Sequence, residues 1–168
     1  MKRAALLLAG LAVLVMGIAH AEPPAGYAFQ SYPEALHRAA ASGKHVFLYL
    51  GRHGCGYCAK TNKESFSNQE LRTRLGTVFE LAYVDSEGTG RLQLPSGEWL
   101  TEAAFAERLN VLGTPVFFAL EPDGSEITRL YGFQSADTLL AFQDYVSAKQ
   151  YKSVAFSNFV AGGEKPSP

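Results

Sequence analysis

Apolar and polar residues fall in alternating blocks along the chain, and the blocks read as strands and helices in turn. The run Val46-Phe47-Leu48-Tyr49-Leu50, with His45 before it, predicts a buried strand. A second strand spans Val78 to Val84 and ends at Asp85. Val111 to Leu120 leads into a third, and Ile127 to Tyr131 returns as its hairpin partner after the turn Pro122-Asp123-Gly124. A helix is predicted over Pro33 to Ala41, with Pro33 at a first helical position and Gly43 as its stop. Leu36 and Ala40 would share its inward face, and His37 reads as a surface residue. Helical composition resumes after Cys58 and runs to Leu75, broken near Ser65 to Asn68. Ser67 and Glu70 have capping-box spacing for the second piece, and Gly76 ends it. Thr101 caps a helix reaching Asn110. Ser135 to Lys149 is the last long helix, with Leu139, Leu140, Phe142 and Val146 as its apolar face.

Residues 86–98 are Gly-rich and polar and read as an inserted loop with room for a short hairpin. Residues 151–160 suggest an appended short helix, and Ala161 to Pro168 a disordered tail. Alternating strands and helices that close with a hairpin and a helix imply an α/β fold of three layers, a mixed central sheet flanked by helices. The expected division is a signal peptide over 1–21, a leader over 22–32, a folded domain over 33–150, and an appendage with tail over 151–168.

The signal-peptide reading rests on the N-terminus. Lys2 and Arg3 precede the apolar stretch Ala4 to Ile18, and Ala19-His20-Ala21 is a small-residue cleavage box before Glu22. The stretch is shorter than the roughly 20 residues a spanning helix prefers, which disfavours an uncleaved anchor. Without Lys2 and Arg3, the 15 basic residues fall to 13 against 16 acidic ones, a net charge near −3. No basic run is present, so nothing points to nucleic acid. At 168 residues and 47% hydrophobic composition the chain suits one domain with one ample core.

Two cysteines are the chain's only ones, in Cys55-Gly56-Tyr57-Cys58. They follow the strand His45–Leu50 through a turn with Gly51 and Gly54, and they open a helical segment. Residues i and i+3 of a helix lie about 5–6 Å apart, and a disulfide needs roughly 4.4–6.8 Å between Cα atoms. The pair can therefore join and part with little backbone movement. A helix start favours an anion, and thiols placed there titrate well below an ordinary cysteine. Cys55, nearer the exposed turn, is the expected nucleophile; Cys58, one turn deeper, is the resolving thiol. A purely structural bridge is a weak alternative, because it closes almost no loop. Zinc would need four ligands, and no second Cys/His pair stands at ligand spacing to join His53, His37 or His45. Haem attachment would need histidine at 59, which is Ala59. No metal and no cofactor is expected.

The cysteine turn, together with Val111-Leu112-Gly113-Thr114-Pro115 before an apolar strand, resembles the thioredoxin-fold family over roughly Pro33 to Lys149. The resemblance implies a cis Thr114–Pro115 bond beside the cysteines, with Thr114 and Pro115 positioning an extended substrate chain. From local sequence alone, an ordinary trans proline opening a strand is the commoner arrangement. The chain departs from cytoplasmic thioredoxins at two places. Gly51-Arg52-His53-Gly54 stands where a tryptophan is usual, and Tyr49 stands where those proteins carry a buried aspartate. Gly56-Tyr57 with Thr114 resembles periplasmic disulfide isomerases of the Dsb type. The overall plan, with the long loop and Phe156 and Phe159, is most similar to periplasmic thioredoxins of bacterial sulfur-oxidation (Sox) systems.

The function so implied is a periplasmic thiol–disulfide oxidoreductase, working as a reductase by dithiol exchange through Cys55 and Cys58. The alternatives are an isomerase or oxidase, or a non-catalytic binding module on the same fold. Tyr57 is expected as an exposed recognition or potential-tuning residue, and Lys60 as a surface residue. His53 is a candidate electrostatic modulator of the thiolate and equally reads as a solvated turn residue. Implied partners are clients with disulfides or mixed disulfides and a membrane thiol-electron donor, with the mature chain itself outside the membrane.

Overall fold

The computed structural model describes residues 22–162; the expected signal peptide and residues 163–168 of the expected tail lie outside the described residues. The elements in order are α1 Tyr32–Ser42, β1 His45–Gly51, α2 Gly56–Glu64, α3 Gln69–Val78, β2 Phe79–Asp85, β3 Arg91–Gln93, β4 Trp99–Thr101, α4 Glu102–Arg108, β5 Val116–Leu120, β6 Glu126–Tyr131 and α5 Ala136–Ser147. A 3₁₀ turn at Gln150–Lys152 and α6 Phe156–Ala161 complete them.

The main sheet has the order β2-β1-β5-β6. β1 runs parallel to β2, through the α2–α3 crossover, and antiparallel to β5, which pairs antiparallel with β6. Side chains alternate across a strand, so the central strands feed two cores. Phe47, Tyr49, Phe79, Leu81, Phe117 and Ala119 face one side, with α3, α5 and α6. Val46, Leu48, Leu50, Ala82, Val84, Val116, Phe118 and Leu120 face the other, with α1 and α4. Covered on both faces, β5 is apolar throughout and β1 is so after its partly buried first residue, His45. The expected three layers and mixed sheet are the fold observed.

Local details differ from the sequence reading for identifiable reasons. The inward face of α1 is Tyr32, Ala35, Leu36 and Ala39; Ala40 is exposed. α3 is capped by Asn68, whose side chain accepts the Leu71 N–H at 2.9 Å, and not by Ser67. Ser67 instead donates its hydroxyl back to the Glu64 carbonyl. The phase of this turn is set by Phe66, which is buried in an aromatic cluster with Tyr27, Tyr49 and Phe117. Gly76 does not end α3. The helix continues to Val78 and passes directly into β2, at the cost of about 1 kcal/mol that an interior glycine carries.

Residues on both sides of the expected 33–150 domain pack against it. The Tyr27 hydroxyl donates to the Phe66 carbonyl, and Gln30 forms a parallel bridge to Ala82 on the β2 edge. Tyr27 and Gln30 of the expected leader thus contact the domain. At the other end, Phe156 and Phe159 pack on Phe142 and Tyr145 of α5, and the Tyr145 hydroxyl donates to the Val154 carbonyl. The segment 86–98 does hold one strand of a hairpin, β3, which pairs with β4.

Candidate active site

The end of β1 delivers the chain to the cysteines from Gly51, a position with no spare room. A Cβ on Gly51 would lie 2.6 Å from the Tyr83 hydroxyl oxygen. Gly54 takes φ +70°, the left-handed region that glycine enters at little cost. Cys55 then stands as the N-cap of α2 in extended conformation. Its Sγ accepts the Cys58 backbone N–H at 3.0 Å, the bond that an N-cap oxygen makes elsewhere. Cys55 and Cys58 form a disulfide with Cα atoms 5.2 Å apart, inside the span expected of helical i, i+3 neighbours.

The loop before β5 closes the site from the opposite side. The Thr114–Pro115 peptide is cis, and the Thr114 carbonyl oxygen lies 3.4 Å from Cys55 Sγ. The Pro115 carbonyl accepts the Gly132 N–H, tying this loop to the end of β6. Arg129 donates to the Leu109 carbonyl at 2.6 Å and lies over the Phe118 ring, which holds the other end of the loop. The Thr114 hydroxyl is buried and has no hydrogen-bond partner among the described residues. Sequence-distant Cys55, Thr114 and Pro115 are thereby brought together.

Tyr57 projects from the first turn of α2 and is 65% exposed, while Leu112 is 99% exposed. Lys60 is a surface residue whose ammonium sits over the Phe133 ring. His53 is exposed at the rim of the site and makes no hydrogen bond or ion pair with the described residues. The expected contrast between an open Cys55 and a deeper Cys58 is small, with 8% and 6% of each residue exposed. What separates the two sulfurs is polarity: only Cys55 Sγ receives a backbone N–H.

A cleft of about 370 Å³ opens on both cysteines, lined also by Glu22, Arg52, His53, Asn62 and Tyr83. Asn62 follows Cys58 by one helical turn, a spacing that would have marked it from sequence. Tyr83 sits on β2 and carried no such signal. Tyr49 is buried and donates its hydroxyl to Asn62 Oδ1 at 3.1 Å. Burial first, then neighbouring Tyr83, pushes its phenol pKa up. Tyr83 is pushed up in the same way by burial, with Asp85 and Glu102 adding to it. Both remain neutral donors at physiological pH.

The profile of the thioredoxin-like domain family matches residues 32–147. The chain belongs to this family. A thioredoxin from Thermus thermophilus is 29% identical, covering 74% of this chain and 89% of that one, with a TM-score of 0.60. A thioredoxin-fold protein from Helicobacter pylori shares the fold at 20% identity, over 73% and 80% of the two chains, with a TM-score of 0.60. The C-terminal domain of DsbD from Neisseria meningitidis, in its oxidised form, shares it at 20% identity, over 70% and 97%, with a TM-score of 0.51. No curated protein matches the chain. A thioredoxin-like domain with a cysteine pair placed to close and open is a thiol–disulfide oxidoreductase.

Proposed function

We propose that this thioredoxin-like protein is an exported, periplasmic reductase of disulfides in client proteins, with Cys55 as nucleophile and Cys58 as resolving thiol. The observation that carries the assignment is the 3.0 Å Cys58 N–H contact to Cys55 Sγ at the start of α2. In the reduced protein this N–H and the positive helix end favour charge on Cys55 and offer nothing comparable to Cys58. Cys55 thiolate attacks a client disulfide and expels one client thiolate. Cys58 then gives up its proton, attacks Cys55 Sγ, and expels the second.

Thr114 and Pro115 offer the client an extended edge beside Cys55, and Tyr57 and Leu112 flank it as exposed apolar contacts. Export is supported by the Lys2-Arg3 start, the Ala4–Ile18 run and the Ala19-His20-Ala21 box. No helix among the described residues is long and apolar enough to cross a membrane. Reduction in an oxidising compartment calls for a membrane-borne thiol-electron donor. The hairpin near residues 86–98 and the Phe156/Phe159 packing support kinship with thioredoxins of sulfur-oxidation systems.

Cys58→Ser tests the assignment, since it leaves a client covalently held on Cys55. Mixed disulfides recovered with Cys58→Ser and absent with Cys55→Ser support it; equal recovery from both, or none from either, overturns the assigned roles. Faster repair of scrambled ribonuclease than reduction of insulin would move the activity to isomerisation.

A further inference from the structure

The disulfide is approached from two sides that share no lining residue other than the cysteines themselves. Thr114, Pro115, Tyr57 and Leu112 form the side facing an extended client, and none of them lines the cleft bounded by Arg52, His53, Asn62 and Tyr83. The cleft is too small for a folded client, yet its volume of about 370 Å³ lies in the range of roughly 300–1,000 Å³ typical of small-molecule pockets. Its polar lining is suited to a negative charge. Arg52 carries a fixed cation and five donors. Its ion pair among the described residues, to Glu87 at 3.4 Å, joins two side chains that are 43% and 64% exposed, so it restrains the guanidinium little. His53 stands beside it without a partner among the described residues; Tyr83 and Asn62, whose Nδ2 also donates to the Glu22 carbonyl at 3.5 Å, complete the polar lining. Glu22, which also lines the cleft, and Glu87 are the opposing charges.

We propose that this cleft is a second substrate site, taking low-mass disulfides that carry a carboxylate, with Arg52 as the residue that selects for the negative charge. The inference rests on the redox roles proposed for Cys55 and Cys58. Cys55 thiolate attacks one sulfur of R–S–S–R, forming the Cys55–S–R bond and releasing R–S⁻. Cys58 loses its proton and attacks Cys55 Sγ, releasing a second R–S⁻. The protein dithiol is oxidised by two electrons, and one small disulfide becomes two thiols that take up the two protons.

The test is a single-turnover oxidation of the pre-reduced protein, followed by quenching and counting free thiols. The probes are 3,3′-dithiodipropionate (anionic), cystamine (cationic) and bis(2-hydroxyethyl) disulfide (neutral). Each rate constant is divided by that of dithiothreitol with the same probe, which removes intrinsic reactivity. The normalised anion-to-cation ratio is expected to be well above one for the native protein. Arg52→Ala should lower it about fivefold, the scale of one exposed charge contact, and Arg52→Lys should retain most of it. Added salt at about 0.5 M should compress the ratio. An equal ratio in native protein and Arg52→Ala, with insulin still reduced, overturns this inference alone. Failure to react with any disulfide, insulin included, overturns it together with the redox roles.

Discussion

Gly51 lies where the strand hands the chain to the cysteines, and replacing it with alanine probes how firmly the cleft wall is held. A Cβ there would meet Tyr83 Oη at 2.6 Å and two ring carbons at 3.1 and 3.2 Å. Three atoms of a rigid ring are involved, so rotating the hydroxyl relieves nothing. The ring is packed edge-on against Tyr49 at 5.1 Å and against Phe29 at 6.4 Å, which limits its retreat. Overpacking of this kind costs about 1–3 kcal/mol. Against it stands a gain of roughly 0.5–1 kcal/mol from removing a glycine inside a strand. Gly51→Ala should therefore destabilise by about 1 kcal/mol, a midpoint lower by about 2–4 °C for a chain of this size. The sign is the sharper readout. In a Tyr83→Leu background the clash is gone, and the same substitution should stabilise by about 0.5–1 kcal/mol. The assay is chemical denaturation of the oxidised protein for the four members of the cycle, with slopes compared for two-state behaviour. An identical effect of Gly51→Ala in both backgrounds would refute the account of Tyr83 as a fixed wall.

Other substitutions separate packing from hydrogen bonding. Phe66→Ala should cost about 3–5 kcal/mol in a denaturation curve, since it empties the buried aromatic cluster, whereas Phe66→Leu should cost clearly less. Asn62→Ala strands the buried Tyr49 hydroxyl and should cost about 1–3 kcal/mol; Tyr49→Phe leaves only the cleft-facing Asn62 oxygen unpaired and should cost less. His45 is held below its ordinary pKa of 6.5, by burial first, against the opposing pull of Glu121 and with Lys149 adding to the depression. A base with depressed folded pKa binds fewer protons folded than unfolded, so its contribution is intact above pH 6.5 and is lost as pH falls below that value. His45→Asn should flatten this part of the thermal-midpoint profile between about pH 7.5 and 5.5; an unchanged slope would show that burial does not govern its titration.

What the sequence disclosed and what it withheld divide along the range of the interactions involved. β1 and β5 are legible because burial on both faces demands unbroken apolar runs, and α2 because capping by Cys55 is a local event. Thr101 and Ser135 cap their helices as their local sequence says, each accepting an N–H three residues on. Ser67 and Asn68 are nearly equal as caps, and the choice falls to Asn68 because distant Tyr27, Tyr49 and Phe117 draw Phe66 inward. The docking of Gln30 on β2 and of Phe159 on Tyr145 likewise depends on partners far along the chain. In the site, Cys55, Cys58 and the Thr114–Pro115 pair announce themselves by motif. Arg52 and Tyr83 become visible only when β1 and β2 are placed side by side.

At Tyr49 the surroundings of the cysteine motif have changed while the motif itself is kept. A carboxylate at this point of β1 would be a buried charge or a buried acid beside the resolving thiol. A phenol tied to Asn62 is neither, and its raised pKa keeps it a donor. In the proposed mechanism it therefore cannot take the Cys58 proton at neutral pH. The cleft changes the route, because Cys58 borders the same space as Asn62, Tyr83 and His53. Solvent in that space becomes the acceptor, and narrowing the cleft should slow the resolving step while leaving Cys55 attack intact. Asn62→Trp, which adds a large ring to the cleft from its own wall, should make the Cys55 mixed disulfide with a protein client accumulate in a quenched time course. No accumulation, with the first step unchanged, would mean that the Cys58 proton leaves by another path.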